Sequence, residues 1–194
     1  SLNFLNKVKK GLYIDGSEEK VIKLKSIIAL LYPFRNINVV KKFIDKDNLN
    51  LIIDNHFHND EEIDFFSIDV DGNDYYLFED LQVRPKVICI EYNFSFGPNM
   101  KCSVPYDKNF TWEIGSSYFG ASLNALCQLA NRKGYYLIAL ESHCVNAFFI
   151  RSDLKNKFKL INNIENFRTP KYYSMDEIIN KKKILLGKTL NIFK

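Results

Sequence analysis

The sequence predicts an α/β protein built as a three-layer, doubly wound, mostly parallel sheet whose last strand is antiparallel. Three observations carry this. Short apolar runs alternate with segments of helical periodicity, as repeated strand–helix crossovers require. The runs at 63–69 and 86–93 are nearly continuously apolar, the pattern of strands covered on both faces. Two later runs, "YYLIALES" (135–142) and "VNAFFIR" (145–151), lie too close together for a parallel crossover and read as a hairpin.

Each element follows in order. "GLYID" (11–15) is a short strand that passes through Gly16 into a helix in which Val21, Leu24, Ile27, Ile28 and Leu31 share a face. Ser17 is its cap, and Glu18 and Glu19 complement the positive end of the helix dipole. "INVVKKFI" (37–44) has the β-branched content of a strand, and "DKDNLNLIIDN" reads as a short helix. The strand at 63–69 is followed by "GNDYYLFEDL", a helix that ends before Arg84-Pro85, and then by the strand "KVICIEYN" (86–93). Residues 94–117 hold glycine, two prolines and many aromatics without periodicity, and so long a loop is expected to border a ligand or act as a lid. Leu123, Leu126, Cys127 and Ala130 mark a helix stopped by Gly134. Beyond the hairpin only a helix near 175–186 stands out. A length of 194 residues suits one domain, 1–194.

Composition excludes several classes. The net charge of +4 is dispersed, and its densest run, "NKKKILLGK", reads as a solvated helix face, so no nucleic-acid partner is expected. The four cysteines form no CxxC and no zinc-like spacing and read as reduced core residues. The longest apolar run, "IIALLYPF", falls well short of the ~20 residues of a membrane span. With no secretory signal in view, a cytoplasmic location is expected.

Ligands of doubly wound folds sit beyond the carboxyl ends of the strands. Asp15, Asp45, Asp69, Asp71, Glu91 and Asn93 all fall at such ends. In "FFSIDVDGNDYYLFEDL" (65–81) the pair Asp69 and Asp71 has three readings. It can close a turn on helix N-terminal amides, with Asp71-Gly72 as the turn. Asp71 with Glu91 and Asn93 can hold Mg²⁺, which prefers oxygen ligands. Or a carboxylate, Asp71 or Glu91, can act as a general base. His143 and Asn146 flank the hairpin turn, where an exposed histidine is the commoner outcome and a catalytic one the sharper reading. His56 and His58 lie in a polar stretch and read as surface. Tyr75, Tyr76, Tyr106, Trp112 and Tyr118 serve either the core or an acceptor pocket.

The runs "IDVDGNDY", "VICIEYN" with "FGP" after it, "VPYD", "YFGASLNAL", "KGY" and "VNAFFIR" occur in one order across residues 11–155. Together they resemble bacterial FkbM-type methyltransferases. The resemblance implies a class I S-adenosylmethionine-dependent enzyme with a Rossmann-like, seven-stranded sheet and an antiparallel last strand, methylating an oxygen of a small polar acceptor such as a sugar or sugar nucleotide. It places Asp15 on the ribose hydroxyls of the cofactor, Ile44 and Asp45 where the adenine edge is read, and Asp69 near the methionine end. Asp71, Glu91 and His143 are then the catalytic candidates, and Asn73, Tyr92, Asn93, Tyr118 and Asn146 the substrate-binding ones.

One departure bears on the cofactor. The family's first strand and glycine-rich loop should precede "GLYID", yet "SLNFLNKVKK" stands there and no GxGxG occurs in the chain. The expectation is either an N-terminally shortened piece, with "LNFLNKVKK" a remnant of the first helix and the first strand missing, or a cofactor site incomplete by nature. Either way binding should be weak or absent. Two further functions remain open: a non-catalytic nucleotide-binding or scaffold module of the same fold, and a metal-dependent sugar-nucleotide transferase supported by the Asp-x-Asp alone. Oligomeric state is not legible.

Overall fold

The computed structural model describes residues 7–58, 61–171, 173–186 and 188–193. β1 (Lys10–Asp15) leads into α1 (Glu18–Leu31), followed by β2 (Asn36–Lys41) and α2 (Leu49–His56). Local polar residues start both helices. The Ser17 side chain accepts the amide hydrogen of Lys20 at 3.4 Å, and Val21 and Ile28 form the buried stripe of α1. Before α2, Asp45 accepts from the amides of Asp47 and Asn48, both at 3.0 Å, while the Asn48 side chain accepts from the Asp45 amide at 3.2 Å. These bonds occupy the chain between β2 and α2, so the strand expected to reach residue 44 stops at Lys41.

The remaining elements are β3 (Phe65–Ile68), α3 (Asp74–Asp80), β4 (Val87–Glu91), β5 (Cys102–Ser103), α4 (Leu123–Arg132), β6 (Tyr135–Leu140), β7 (Asn146–Arg151), α5 (Asn163–Asn166), α6 (Met175–Leu186) and β8 (Asn191–Ile192). A four-stranded sheet runs β3-β4-β7-β6, with β3 and β4 parallel and β7 antiparallel to both its neighbours. The antiparallel last strand of the main series is as the hairpin spacing predicts. Ile88, Cys89 and Ile90 are consecutive and buried, so β4 is covered on both faces. Leu77 and Phe78 of α3, Leu126 and Ala130 of α4, and Phe149 and Ile150 of β7 complete a core in which each large side chain contributes about 1.5–3 kcal/mol by burial. Two polar contacts lock it. The Tyr135 hydroxyl donates to the Pro85 carbonyl at 2.8 Å, and the Lys133 ammonium donates to the Glu79 and Leu81 carbonyls at the end of α3.

One expectation is corrected. The six strands do not form a single hydrogen-bonded sheet: β1 and β2 pair in parallel with each other as a sheet of their own, Lys10 opposite Asn36 and Asp15 opposite Lys41. Partner choice in parallel sheets depends on crossovers and on what covers each face, which a strand's own apolar pattern does not encode. The chain correspondingly divides into two compact units, Ser1–His58 and Asn59–Lys194. The loop at 94–117 is also more ordered than its sequence suggests. Phe94–Phe96 forms a 3₁₀ turn, and β5 pairs antiparallel with β8 from the tail while Cys102, Ser103 and Val104 are fully buried. The helical remnant expected before β1 lies largely outside the described residues, and residues 7–9 are not helical.

All four cysteines are free and buried, and burial pushes their thiols up, Cys89 and Cys102 to about 11 and Cys127 to about 12. No helix among the described residues is long and apolar enough to cross a membrane.

Candidate functional site

The turn after β3 is organised by a residue that the sequence reading passed over. Asp74, the first residue of α3, is wholly buried, and its carboxylate reaches back to accept the amide hydrogens of Val70 at 2.9 Å and Gly72 at 3.0 Å. Burial pushes Asp74 up to about 7, and the Asp69 charge adds to this while the amide hydrogen bonds oppose it. Asp71-Gly72 is a turn, as one of the readings weighed for Asp69 and Asp71 has it, and Asp74 takes two of the amides around it. The signal was present as an acid in the first helical turn, where the free amides lie. Asp71 itself adopts φ +59°, in the left-handed region that side chains other than Gly, Asn and Asp enter at a cost.

β3 and β4 lie side by side, Ile68 opposite Ile90, so the chain leaving β3 passes the end of β4. One carboxylate oxygen from each of Asp69, Asp71 and Glu91 lies within 4.8 Å of the other two. Asp69 and Asp71 are exposed. Glu91 differs: the residue as a whole keeps some exposure, but its carboxyl group is buried, and Oε2 has no hydrogen-bond partner. Burial pushes Glu91 up to about 9, with the charges of Asp74, Asp69 and Asp71 adding to the effect. Two like charges this close repel by about 3.5 kcal/mol at an effective dielectric constant of about 20. This repulsion and burial act together on Glu91, the one of the three whose carboxyl group is withdrawn from water.

Other predicted residues are committed elsewhere. Asn93 is buried, its Oδ1 accepting from the Ser95 amide at 2.9 Å and its Nδ2 donating to the Ser117 and Phe119 carbonyls at 2.7 and 3.0 Å. The amide thus fastens loop backbone. Of the predicted set Asp71, Glu91 and Asn93, the two acids come together with Asp69, while the Asn93 amide is taken up by loop backbone. Asn73, proposed for substrate, donates to the Asp107 carbonyl at 2.8 Å and accepts from the Asp107 amide at 3.3 Å. A β-carbon at Gly72 would overlap the Phe110 ring. Asp107 and Phe110 thereby hold the 94–117 loop against the acidic turn, and neither stood out in the sequence.

The Tyr92 hydroxyl is buried beside the Cys144 thiol, and burial raises its pKa. Tyr118 donates to the Thr189 carbonyl at 2.8 Å, with its ring 6.4 Å from that of Phe110. Asn146 faces Glu91 across the β4–β7 ladder and donates to Glu141 at 3.1 Å. His143 is exposed at the hairpin turn, 3.7 Å from Glu141, and is no part of the acidic trio. Tyr75 stacks on Phe193, and the buried Tyr76 donates to the Val104 carbonyl, so both serve packing. Trp112 donates to the Ser116 carbonyl within the loop, and Tyr106 meets Tyr76 edge to face.

The residues expected to bind cofactor fall in both units. Asp69 is in the second. Asp15, Ile44 and Asp45 are in the first, where Asp15 accepts from the Ser17 amide at 2.7 Å and lies 3.7 Å from the Lys20 ammonium. Ile44 is half-buried, and the neighbouring Phe43 ring sits where a β-carbon on Gly16 would go. Two surface hollows, about 220 Å³ beside Arg84 and Lys133 and about 360 Å³ beside Lys25 and Arg35, contain none of the candidate site residues.

No protein-family model matches the chain, and no curated protein matches it.

Proposed function

We propose that the protein is an S-adenosylmethionine-dependent methyltransferase acting on a hydroxyl oxygen of a small polar acceptor such as a sugar. The observation that carries the reading is the convergence of Asp69, Asp71 and Glu91 at the adjoining carboxyl ends of β3 and β4, where folds of this class take their ligands. The ordered motif series across 11–155 supports the choice of methyl transfer. Transfer to an oxygen requires a hydroxyl aligned with the methyl donor and an acceptor for its proton. Asp71, exposed and fixed by its left-handed backbone, is suited to receive that proton, while Asp69 and Glu91 orient the hydroxyl. The resemblance gives Asp15 the ribose of the donor; in its own unit one Asp15 oxygen accepts from the Ser17 amide and the other lies 3.7 Å from the Lys20 ammonium, which a ribose hydroxyl would have to displace or join.

The test uses the product of the full reading frame. Calorimetry with S-adenosylhomocysteine should give saturable binding, weakened by about 1–3 kcal/mol in Asp15→Ala, the worth of a charge-assisted hydrogen bond. Transfer of a labelled methyl group to sugar acceptors should accompany it. Equal affinity in the variant removes Asp15 from the site, and the absence of both binding and transfer overturns the reading. The lack of any GxGxG favours one other reading, a non-catalytic nucleotide-binding module, which predicts binding without transfer.

A further inference from the structure

We propose that Asp69, Asp71 and Glu91 form a binding site for a single hard divalent cation of the magnesium, manganese or calcium class. Three oxygens converging within 4.8 Å are one observation. The second is independent of the cluster's acidity: on the Glu91 carboxyl group, which meets the other two, Oε2 is buried and accepts no hydrogen bond. A carboxylate oxygen hidden from water is normally bonded, because an unmet acceptor loses its solvation without return. Asp74, a few residues away, shows how the same turn satisfies a buried carboxylate when an amide is to serve it: both its oxygens are met by backbone amides.

The donor set decides the ion class. All three ligands are carboxylates, with no histidine or cysteine in the group, which suits a hard cation and not zinc or copper. Size is compatible as well. Two ligands on opposite sides of one ion stand at most about 4.2 Å apart around magnesium and about 4.6–5.2 Å apart around calcium. Three oxygens spaced evenly around one ion stand closer, about 3.6 Å apart for magnesium and about 4.0–4.5 Å apart for calcium, so a spacing within 4.8 Å serves either ion once the exposed Asp69 and Asp71 side chains close on it, calcium with the smaller movement. Water and a ligand hydroxyl would fill the remaining positions, on the side where Asp69 and Asp71 are exposed. The site does not depend on methyl transfer, since the ion is recognised without cofactor or acceptor.

The experiment is calorimetric titration of MgCl₂, MnCl₂ and CaCl₂ into EDTA-treated, dialysed full chain, with the melting temperature followed in parallel. At least one ion should bind one to one and raise the melting temperature. Glu91→Gln and Asp71→Asn should each weaken binding by more than about tenfold, the least that even residues merely supporting a metal ligand cost. Glu113→Gln, an exposed loop acid outside the group, should leave it unchanged. Glu91→Gln is isosteric with the protonated acid and should fold, as circular dichroism will verify; the exposed Asp71→Asn carries the test on its own if it does not. No binding of any of the three ions at about 10 mM, roughly ten times above the dissociation constant of weak protein calcium sites, overturns the proposal. So does undiminished binding by both variants. Repeating the S-adenosylhomocysteine titration with and without the ion separates the outcomes, because cation binding can fail while cofactor binding stands, and the reverse.

Discussion

The chain has two kinds of acidic strand end. After β1 and β2, Asp15 and Asp45 turn a carboxylate oxygen onto nearby backbone amides, those of Ser17 in one case and of Asp47 and Asn48 in the other. They help begin the helices that follow. After β3 it is Asp74, already inside its helix, that accepts from the Val70 and Gly72 amides, and the acids before it meet Glu91 from β4. Acidic residues at strand ends are thus no sign of a site by themselves. What separates a helix start from a candidate centre is whether another residue satisfies the amides and whether a second strand brings a carboxyl to the same point.

The contrast can be broken by substitution. The largest effect is expected at Asp74. Alanine there leaves the Val70 and Gly72 amides without their partner in a buried place, at about 1–3 kcal/mol for each, so urea denaturation should find a loss of about 3 kcal/mol. Asn73→Ala should cost about 1–2 kcal/mol by releasing Asp107, and hydrogen exchange around 105–112 should quicken more than in β3 or β4. Asp15→Ala and Asp45→Ala should each cost about 1 kcal/mol, the usual worth of a helix-start bond. If either equals Asp74→Ala, the two kinds of strand end are not distinct. Asp71→Gly should change stability least, within about 0.5 kcal/mol, because relief of the left-handed conformation offsets the extra freedom of glycine in the unfolded chain. A large loss there would make Asp71 a structural residue.

Much of the fold was legible. Apolar runs and helical spacing place β1, α1, β3, α3, β4, α4 and the β6–β7 hairpin within a few residues of their observed bounds, because each is set by local pattern and caps. The division into separate sheets was not, since parallel partners are chosen by distant cover. Nor was the pairing of Cys102–Ser103 with Asn191–Ile192, two residues on each side from segments without periodicity. In the candidate site, Asp69, Asp71 and Glu91 were among the polar residues at strand ends, but so were Asp15, Asp45 and Asn93, and that position alone does not tell them apart. The displacement of Asn93 could not be read, because its amide is claimed by the Ser117 and Phe119 carbonyls across a long loop. Asp74 was readable in principle, being an acid in the first turn of a helix, but the neighbouring Asp71-Gly72 offered a simpler turn.

The central claim is that Glu91 buries its carboxyl among other acids, and this has a direct consequence for titration. In metal-free protein the unfolded chain releases the Glu91 proton near the ordinary value of about 4.3, whereas the folded protein keeps it up to about 9. The folded state binds the extra proton between these limits. The stability that Glu91 contributes is therefore fully present below about pH 4.3 and is lost as pH rises towards 9. Carbon-13 NMR of the Glu91 side-chain carboxyl, recorded against pH after EDTA treatment, reads this most directly. The expected result is a midpoint far above neutral that moves down in Asp71→Asn, with Glu91→Gln removing the signal and this part of the pH dependence of stability. A midpoint near 4.3, unmoved by Asp71→Asn, would mean that Glu91 faces water alone, and the convergence of the three acids would be contradicted.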